Sequence, residues 1–386
     1  MPDAGAPRRA IIVGGSLGGL FAGILLRRIG WEVEIHERSA HDLDGRGGGI
    51  VLQPEVRQIL QLLGRGEGEP GVRSRDRVVY GPDGSVSDRR FAPQTQTSWS
   101  LVYRAVRDGF DGDYRHASEL VQVERDAAAG SVTGTFTDGT RATGDLLIGA
   151  DGGDSTVRHL LWPESVPSYA GYVAWRGLVP EADLPAVARE GLSGDFAFAN
   201  AEGSHILGYL VPGGNDDVRE GHRPYNWVWY RTADERDLEA IMTDRDGRRR
   251  GMSIPEGALD PRRADELYAE AARLPGPFAE LVRATTRPFA QAIRDLTVDT
   301  MVRGRTLLLG DAAFVPRPHT AAGTSKAAAD ALRLAGCLSA RPHDINAALR
   351  EWDRDQLELG WRLHEQGTRT GDYLMFGRVT EGARVG

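Results

Sequence analysis

The chain has 386 residues and a mass of 42.0 kDa, enough to bury a sizeable core without disulfide or metal staples. Its formal net charge of −8 argues against a nucleic-acid binder that works through a global positive field. A single cysteine, Cys337, excludes an intramolecular disulfide framework and any multi-cysteine metal site, so the expected compartment is a reducing cytoplasm and no metal is expected.

The first element is a segment that could be mistaken for a membrane span. Ala10 to Leu26 carries no charge and is flanked by arginine pairs, Arg8–Arg9 and Arg27–Arg28. It falls short of the roughly 20 residues a span requires, and it is broken by Gly14, Gly15, Gly18, Gly19 and Gly23. The better reading is a buried strand (Ala10–Val13), a glycine turn, and a helix with Leu20, Ile24 and Leu25 at helical spacing. A second strand, Glu32–His36, follows and runs into Glu37. This βαβ pattern, with an acid about 20 residues beyond a glycine-rich turn, brings a pyrophosphate to a helix N-terminus and a ribose hydroxyl to a carboxylate. Ser16 stands where the usual fingerprint has glycine; it is small enough for close approach, and its hydroxyl can donate to a phosphate.

Two later apolar strands also break at acids and glycines. Leu146–Gly149 leads into Asp151, and Thr306–Leu309 leads into Gly310–Asp311. Side chains at the carboxyl edge of an open α/β sheet are where such folds meet their ligands. The stretch 163–294 differs: it has no glycine fingerprint and it alternates. His205, Leu207, Tyr209 and Val211 fall on one strand face, and Asn226–Arg231 alternates two tryptophans with Val228 and Tyr230. Such a sheet could wall an aromatic pocket, although each aromatic could equally be sheet core, and His205 a satisfied structural histidine. From Asp344 to about Glu365 the pattern is helical, a closing helix packed on the body or on a second subunit, so a homodimer is an open expectation.

Taken in order, the segments Gly14–Gly19, Ala150–Arg158 and Gly310–Ala331 resemble the three FAD fingerprints of the single-component flavin-dependent aromatic hydroxylases, and the likeness runs over nearly the whole chain. The resemblance implies an α/β (α+β) fold. A Rossmann-like FAD-binding domain would be built from residues 1–162 and 295–386, with a β-sheet substrate domain inserted at 163–294 and a C-terminal helix. It also implies a monooxygenase that uses NADH or NADPH and dioxygen, through a flavin C4a-hydroperoxide, to hydroxylate an electron-rich hydroxylated aromatic or N-heteroaromatic ring. No nucleic acid or membrane partner is expected.

Carried over by position, the resemblance has Gly14, Ser16 and Leu17 meeting the pyrophosphate, and Glu37 the adenosine ribose. Arg38 would lie along the adenine and Arg104 would reach FAD from its helix. Asp151 would fix the second fingerprint, Asp311 would accept from the ribityl chain, and a helix starting at Ala322–Gly323 would aim its dipole at the flavin N1–C2 edge. Lys326, the only lysine in the chain, sits in the first turn of that helix. It could steady the reduced flavin or orient substrate, yet a cation there opposes the helix dipole. Pro318 would lie near the flavin C4a. His319 beside it has the intrinsic pKa of a base for a ring hydroxyl, with His205 and Tyr209 as the reserve candidates and an ordinary loop histidine as the alternative. Two other classes stay open, a flavoprotein oxidase or reductase on the same scaffold and a non-catalytic flavin-binding partner protein.

Overall fold

A computed structural model describes residues 7–44, 48–65 and 71–378, and the statements below concern those residues. In chain order, the elements that position the site are β1 (Arg9–Val13), α1 (Leu17–Arg28), β2 (Glu32–His36), β3 (Leu146–Gly149) and α2 (Thr156–Leu161). They continue with β4 (Ser168–Pro180), β5 (Ser204–Leu210), β6 (Pro224–Thr232), β7 (Phe289–Asp295), β8 (Thr306–Leu308), α3 (Gly323–Ala340) and α4 (Ile345–Phe376).

β1 is central in the first sheet, with β2 parallel on one side and β3 parallel on the other; β8 extends the sheet beyond β3. Strand order therefore reverses at β1, which opens a crevice at the carboxyl ends of β1 and β3. These strands are apolar because both faces are covered, and Ala10, Ile11, Ile12, Leu146, Leu147 and Ile148 are wholly buried. Gly14 takes φ +105°, and a Cβ there would lie 2.4 Å from the Ala150 carbonyl oxygen, so the turn can hold only glycine. Arg27 and Arg28 in the last turn of α1 match the negative end of its dipole.

The second sheet has nine strands. Its centre is β7, β4, β6 and β5, but strands Val72–Tyr80, Val86–Ser98 and Gly49–Val51 also belong to it. The sheet is thus built from both sides of residue 163. The physical reason is edge pairing: Val72–Tyr80 pairs in parallel with Phe196–Ala201 along Phe196↔Arg77 to Ala199↔Tyr80, which covers an edge otherwise open to solvent. Alternation along β6 sends Trp227 and Trp229 to one face. There their indoles donate to Thr285 Oγ1 (2.8 Å) and Ser204 Oγ (2.7 Å) within a core of their own, while Val228 and Tyr230 face a cavity.

α4 spans 32 residues, about 48 Å at 1.5 Å per residue. The Asp344 side chain caps it by accepting from the Ala347 amide, and Gly377 at φ +62° ends it. Among the described residues no helix is long and apolar enough to cross a membrane, and no group of three or more His, Cys, Asp or Glu is placed to hold a metal ion.

Candidate active site

Two cavities meet between the sheets. The larger, about 530 Å³, runs along the carboxyl ends of β1, β2, β3 and β8; the other, about 340 Å³, lies under the inner face of the nine-stranded sheet. Gly49, Arg176, Gln291, Asp311, Gly323 and Thr324 border both, so a long ligand in the first would meet a small one in the second.

The larger cavity is lined by Gly14, Ser16, Leu17, Glu37, Arg38, Asp151, Asp311 and Gly323. Two helices begin at its wall, α1 after Ser16 and α3 after Ala322. Neither has a side-chain cap or an acid in its first turn, so free amides and two positive dipole ends are left for an anionic, hydrogen-bonding ligand. The three strand-end acids are engaged differently. Glu37 is buried, with Oε2 accepting from the Gly15 amide and Oε1 from the Ser39 amide, both at 2.8 Å. Asp151 Oδ2 accepts from the Thr156 (2.7 Å) and Val157 (3.2 Å) amides, while Oδ1 is buried without a partner. Burial pushes this carboxyl up. Asp311 makes no side-chain hydrogen bond among the described residues and is exposed to the cavity.

Other expected contacts lie elsewhere. Arg104 is outside the cavity wall. Its Nη1 binds Asp44 at 2.9 Å and its Nη2 pairs with Asp216, two carboxylates that hold the guanidinium at the surface. Lys326 is also outside the wall, because its fully buried ammonium turns back to Asp330 Oδ2 at 2.7 Å and to the Gly310 carbonyl at 3.3 Å. Asp330 Oδ2 in turn accepts from the Gly310 amide at 2.9 Å. The pair therefore grips both polar groups of the residue before Asp311.

The smaller cavity is lined by Tyr209, Tyr230, Arg176, Pro318, Ala321 and Ala322, among others. Neither His319 nor His205 lines it. His319 Nε2 meets the Tyr172 hydroxyl at 3.0 Å, its ring sits 4.7 Å from that of Tyr230, and Nδ1 is buried without a partner. Burial, with His205 and the Arg317 charge nearby, holds its pKa down to about 3. His205 pairs through Nδ1 with Asn200, and burial holds its pKa down to about 4. Two neutral rings packed among tyrosines are poor bases at neutral pH, contrary to the expectation for His319.

Three residues were missed in the sequence reading. Arg176 interrupts the apolar run Tyr172–Gly177, and a lone charge in such a strand was the available signal. Its Nε is buried without an acceptor, and among the described residues no carboxylate lies within ion-pair distance. Arg158, wholly buried, donates to the carbonyls of Gly153 (2.7 Å), Ala312 (3.0 Å) and Ser165 (3.1 Å), joining the second fingerprint to the third. Asp330 is hidden in an alanine-rich helix.

Residues 169–295 match a family model described as FAD binding domain-like. Over 91% of its length the chain is 36% identical to 2,6-dihydroxypyridine 3-monooxygenase of Paenarthrobacter nicotinovorans, covering 88% of that protein. The chain belongs to the FAD-dependent aromatic monooxygenases. The structure of 2,6-dihydroxypyridine-3-hydroxylase from Arthrobacter nicotinovorans superimposes at a TM-score of 0.91 with 33% identity, covering 98% of this chain and 95% of that one. Klebsiella pneumoniae HpxO complexed with FAD and uric acid shares the fold, at a TM-score of 0.74 and 23% identity over 96% of this chain and 89% of that one. The class of these relatives sets aside the oxidase, reductase and non-catalytic readings for this monooxygenase. FAD fits the larger cavity on the chain's own terms: two uncapped helix starts suit the pyrophosphate and the flavin edge, and a carboxyl without a partner suits a ribityl hydroxyl.

Proposed function

We propose that this monooxygenase hydroxylates an electron-rich hydroxylated aromatic or N-heteroaromatic ring, taken up as its anion beside Arg176, with NADH or NADPH as reductant. The observation that carries the reading is a guanidinium in the cavity wall without a counter-ion among the described residues. A half-buried charge left unpaired is costly, and an ionised ring hydroxyl relieves that cost with a charge-assisted hydrogen bond. Ionisation also makes the ring the better nucleophile. Tyr209 and Tyr230 support the same orientation as donors. Burial raises both phenols, Tyr209 to about 12, so they stay protonated at neutral pH.

Bound FAD supplies the transfer of one atom of dioxygen to the ring, with two electrons from the reduced nicotinamide and the second oxygen atom leaving as water. The chain's part is to bind, orient and exclude solvent. Ser16, Leu17 and the α3 start at Gly323 would hold the cofactor through backbone amides, while Gly14, whose own amide donates to the His36 carbonyl at 2.8 Å, would let the turn come close to it. Glu37 and Asp311 would accept from its hydroxyls, Arg38 would flank the adenine, and Pro318 would bound the ring cavity. With one dinucleotide fingerprint in the chain, the nicotinamide is a transient visitor. Residues 1–162 and 295–386 form the cofactor-binding part, and 163–294 the substrate part, to which the strands between 49 and 98 are added.

A panel of hydroxylated rings that includes 2,6-dihydroxypyridine and 6-hydroxynicotinate, the ring of another relative's name, should contain one that accelerates NAD(P)H consumption and gains one atom from labelled dioxygen. Arg176→Met should then lower kcat/KM by about 10- to 150-fold, the range for losing a hydrogen bond to a charged group. A panel without labelled product, or an Arg176→Met enzyme with wild-type kcat/KM, refutes the reading.

A further inference from the structure

We propose that Asp372, near the end of α4, is a positioning residue that acts through Arg317 to hold the 315–322 loop against the ring cavity. The assignment of that cavity to the ring rests on the proposed function. The clamp itself does not.

The loop supplies Val315, Pro316, Pro318, Ala321 and Ala322 to the cavity wall, yet it has little regular structure of its own. One short 3₁₀ turn, Pro318–Thr320, is followed by Ala321 at φ +51°, a left-handed conformation that an alanine adopts only under constraint. The loop is anchored four residues earlier by the Arg317 side chain, which is 7% exposed. Its Nε and Nη2 fork onto Asp295 at 2.9 and 2.7 Å, and Nη1 donates to Asp372 Oδ1 at 2.8 Å. Asp295 ends β7, next to Ile293 and Arg294 of the same cavity. The fork to Asp295 already neutralises the guanidinium, so Asp372 is the contribution that ties the loop to the helix.

α4 is seated for this task. A Cβ at Gly367 would lie 3.0 Å from the Arg317 amide nitrogen, and one at Gly371 would lie 2.8 Å from the Tyr172 hydroxyl and 3.0 Å from Arg317 Nη1. The helix backbone therefore presses directly on the loop. Twenty residues before Asp372, about 30 Å along the same helix, the Trp352 indole donates to the Asp330 carbonyl at 2.9 Å. One continuous helix thus contacts both Asp330, whose side chain holds the turn before Asp311, and the loop that bounds the ring.

The test uses the FAD-loaded full chain with Asp372→Asn, which keeps the shape and removes the charge, and Gly371→Ala, which displaces the helix by bulk. In both, amide hydrogen exchange over residues 317–323 should rise about tenfold or more while exchange in β1 and α1 stays at the wild-type rate. The FAD dissociation constant should stay within about twofold, and the fraction of NAD(P)H converted to hydroxylated product should fall by about threefold or more, the remainder appearing as hydrogen peroxide. Unchanged loop exchange in Asp372→Asn overturns the proposal, and so does a rise spread evenly over β1, α1 and the loop. If no ring is turned over by the wild type, the proposed function fails while the exchange measurement still decides the clamp.

Discussion

Replacing Asp330 with leucine would strand the Lys326 ammonium. Its side chain is wholly buried, and the remaining acceptor would be the Gly310 carbonyl at 3.3 Å. Removing one partner of a buried ion pair costs about 3–5 kcal/mol. Over 386 residues, an unfolding entropy of roughly 2.1 cal/mol/K per residue comes to about 0.8 kcal/mol/K, so the Tm should drop by about 4–6 °C. The double variant Lys326→Met with Asp330→Leu has no stranded charge. It should retain a loss of about 1–3 kcal/mol, because the Gly310 amide, bonded to Asp330 at 2.9 Å, is left without an acceptor. Urea unfolding of all three proteins at one matched FAD saturation reads these differences, since bound cofactor adds its own stabilisation. A double variant as unstable as the single one would refute the electrostatic account. A Lys326→Met protein with wild-type stability and FAD affinity weakened more than about tenfold would return Lys326 to the cofactor site.

Asp311→Ala should raise the FAD dissociation constant by about 5- to 150-fold, the value of one lost buried acceptor; an unchanged constant in fluorescence titration would remove it from the site. Glu37→Gln should weaken FAD by about fivefold or more, since one oxygen that accepts from the Gly15 or Ser39 amide becomes an NH2 donor and the other loses charge assistance. Equal affinity for the variant would count against its ribose role. A third expectation concerns acid. His205 and His319 are held neutral, at pKa values of about 4 and about 3, so below the unfolded value near 6.5 the unfolded chain binds protons first. Their contribution is intact above pH 6.5 and is lost as pH falls toward the folded values, by about 2 kcal/mol per histidine between pH 7 and pH 5. Denaturant unfolding at the two pH values should show His319→Gln losing about 2 kcal/mol less than the wild type; an identical loss refutes the buried neutral assignment.

The backbone of the site was legible because glycine turns and strand-end acids are local signals. β1, α1, β2 and the breaks at Asp151 and Asp311 follow from residues within about 30 positions of one another. What was illegible depends on contacts across hundreds of positions. Nothing near Arg104 announces that Asp44 and Asp216 will take its guanidinium. Nothing in the pattern of 72–98 says that these strands will cover the edge at Phe196–Ala201. His319 illustrates the point most directly: position put it beside Pro318, but the direction of its ring is set by Tyr172 and Tyr230, which come from strands 147 and 89 residues away.

The three strand-end acids look alike in sequence, and their hydrogen bonds separate them. Glu37 already spends one lone pair on each oxygen, on the amides of Gly15 and Ser39, so it holds the first turn to the strand end and has two lone pairs left for a ligand. Asp151 commits one oxygen to the start of α2 and keeps the other buried and unpartnered, so its first task is to shape the second fingerprint. Asp311 commits neither oxygen, and the turn before it is gripped by Lys326 and Asp330 from behind. The backbone that presents Asp311 is thus held while both carboxyl oxygens stay open, so accepting from a hydroxyl breaks no bond already made. Asp311→Asn should therefore weaken FAD while leaving the stability of the FAD-free protein at the wild-type value, whereas Glu37→Gln, whose NH2 must face the Gly15 or Ser39 amide, should lower both. A FAD-free Asp311→Asn protein as destabilised as Glu37→Gln would mean that Asp311 holds the fold and not the cofactor.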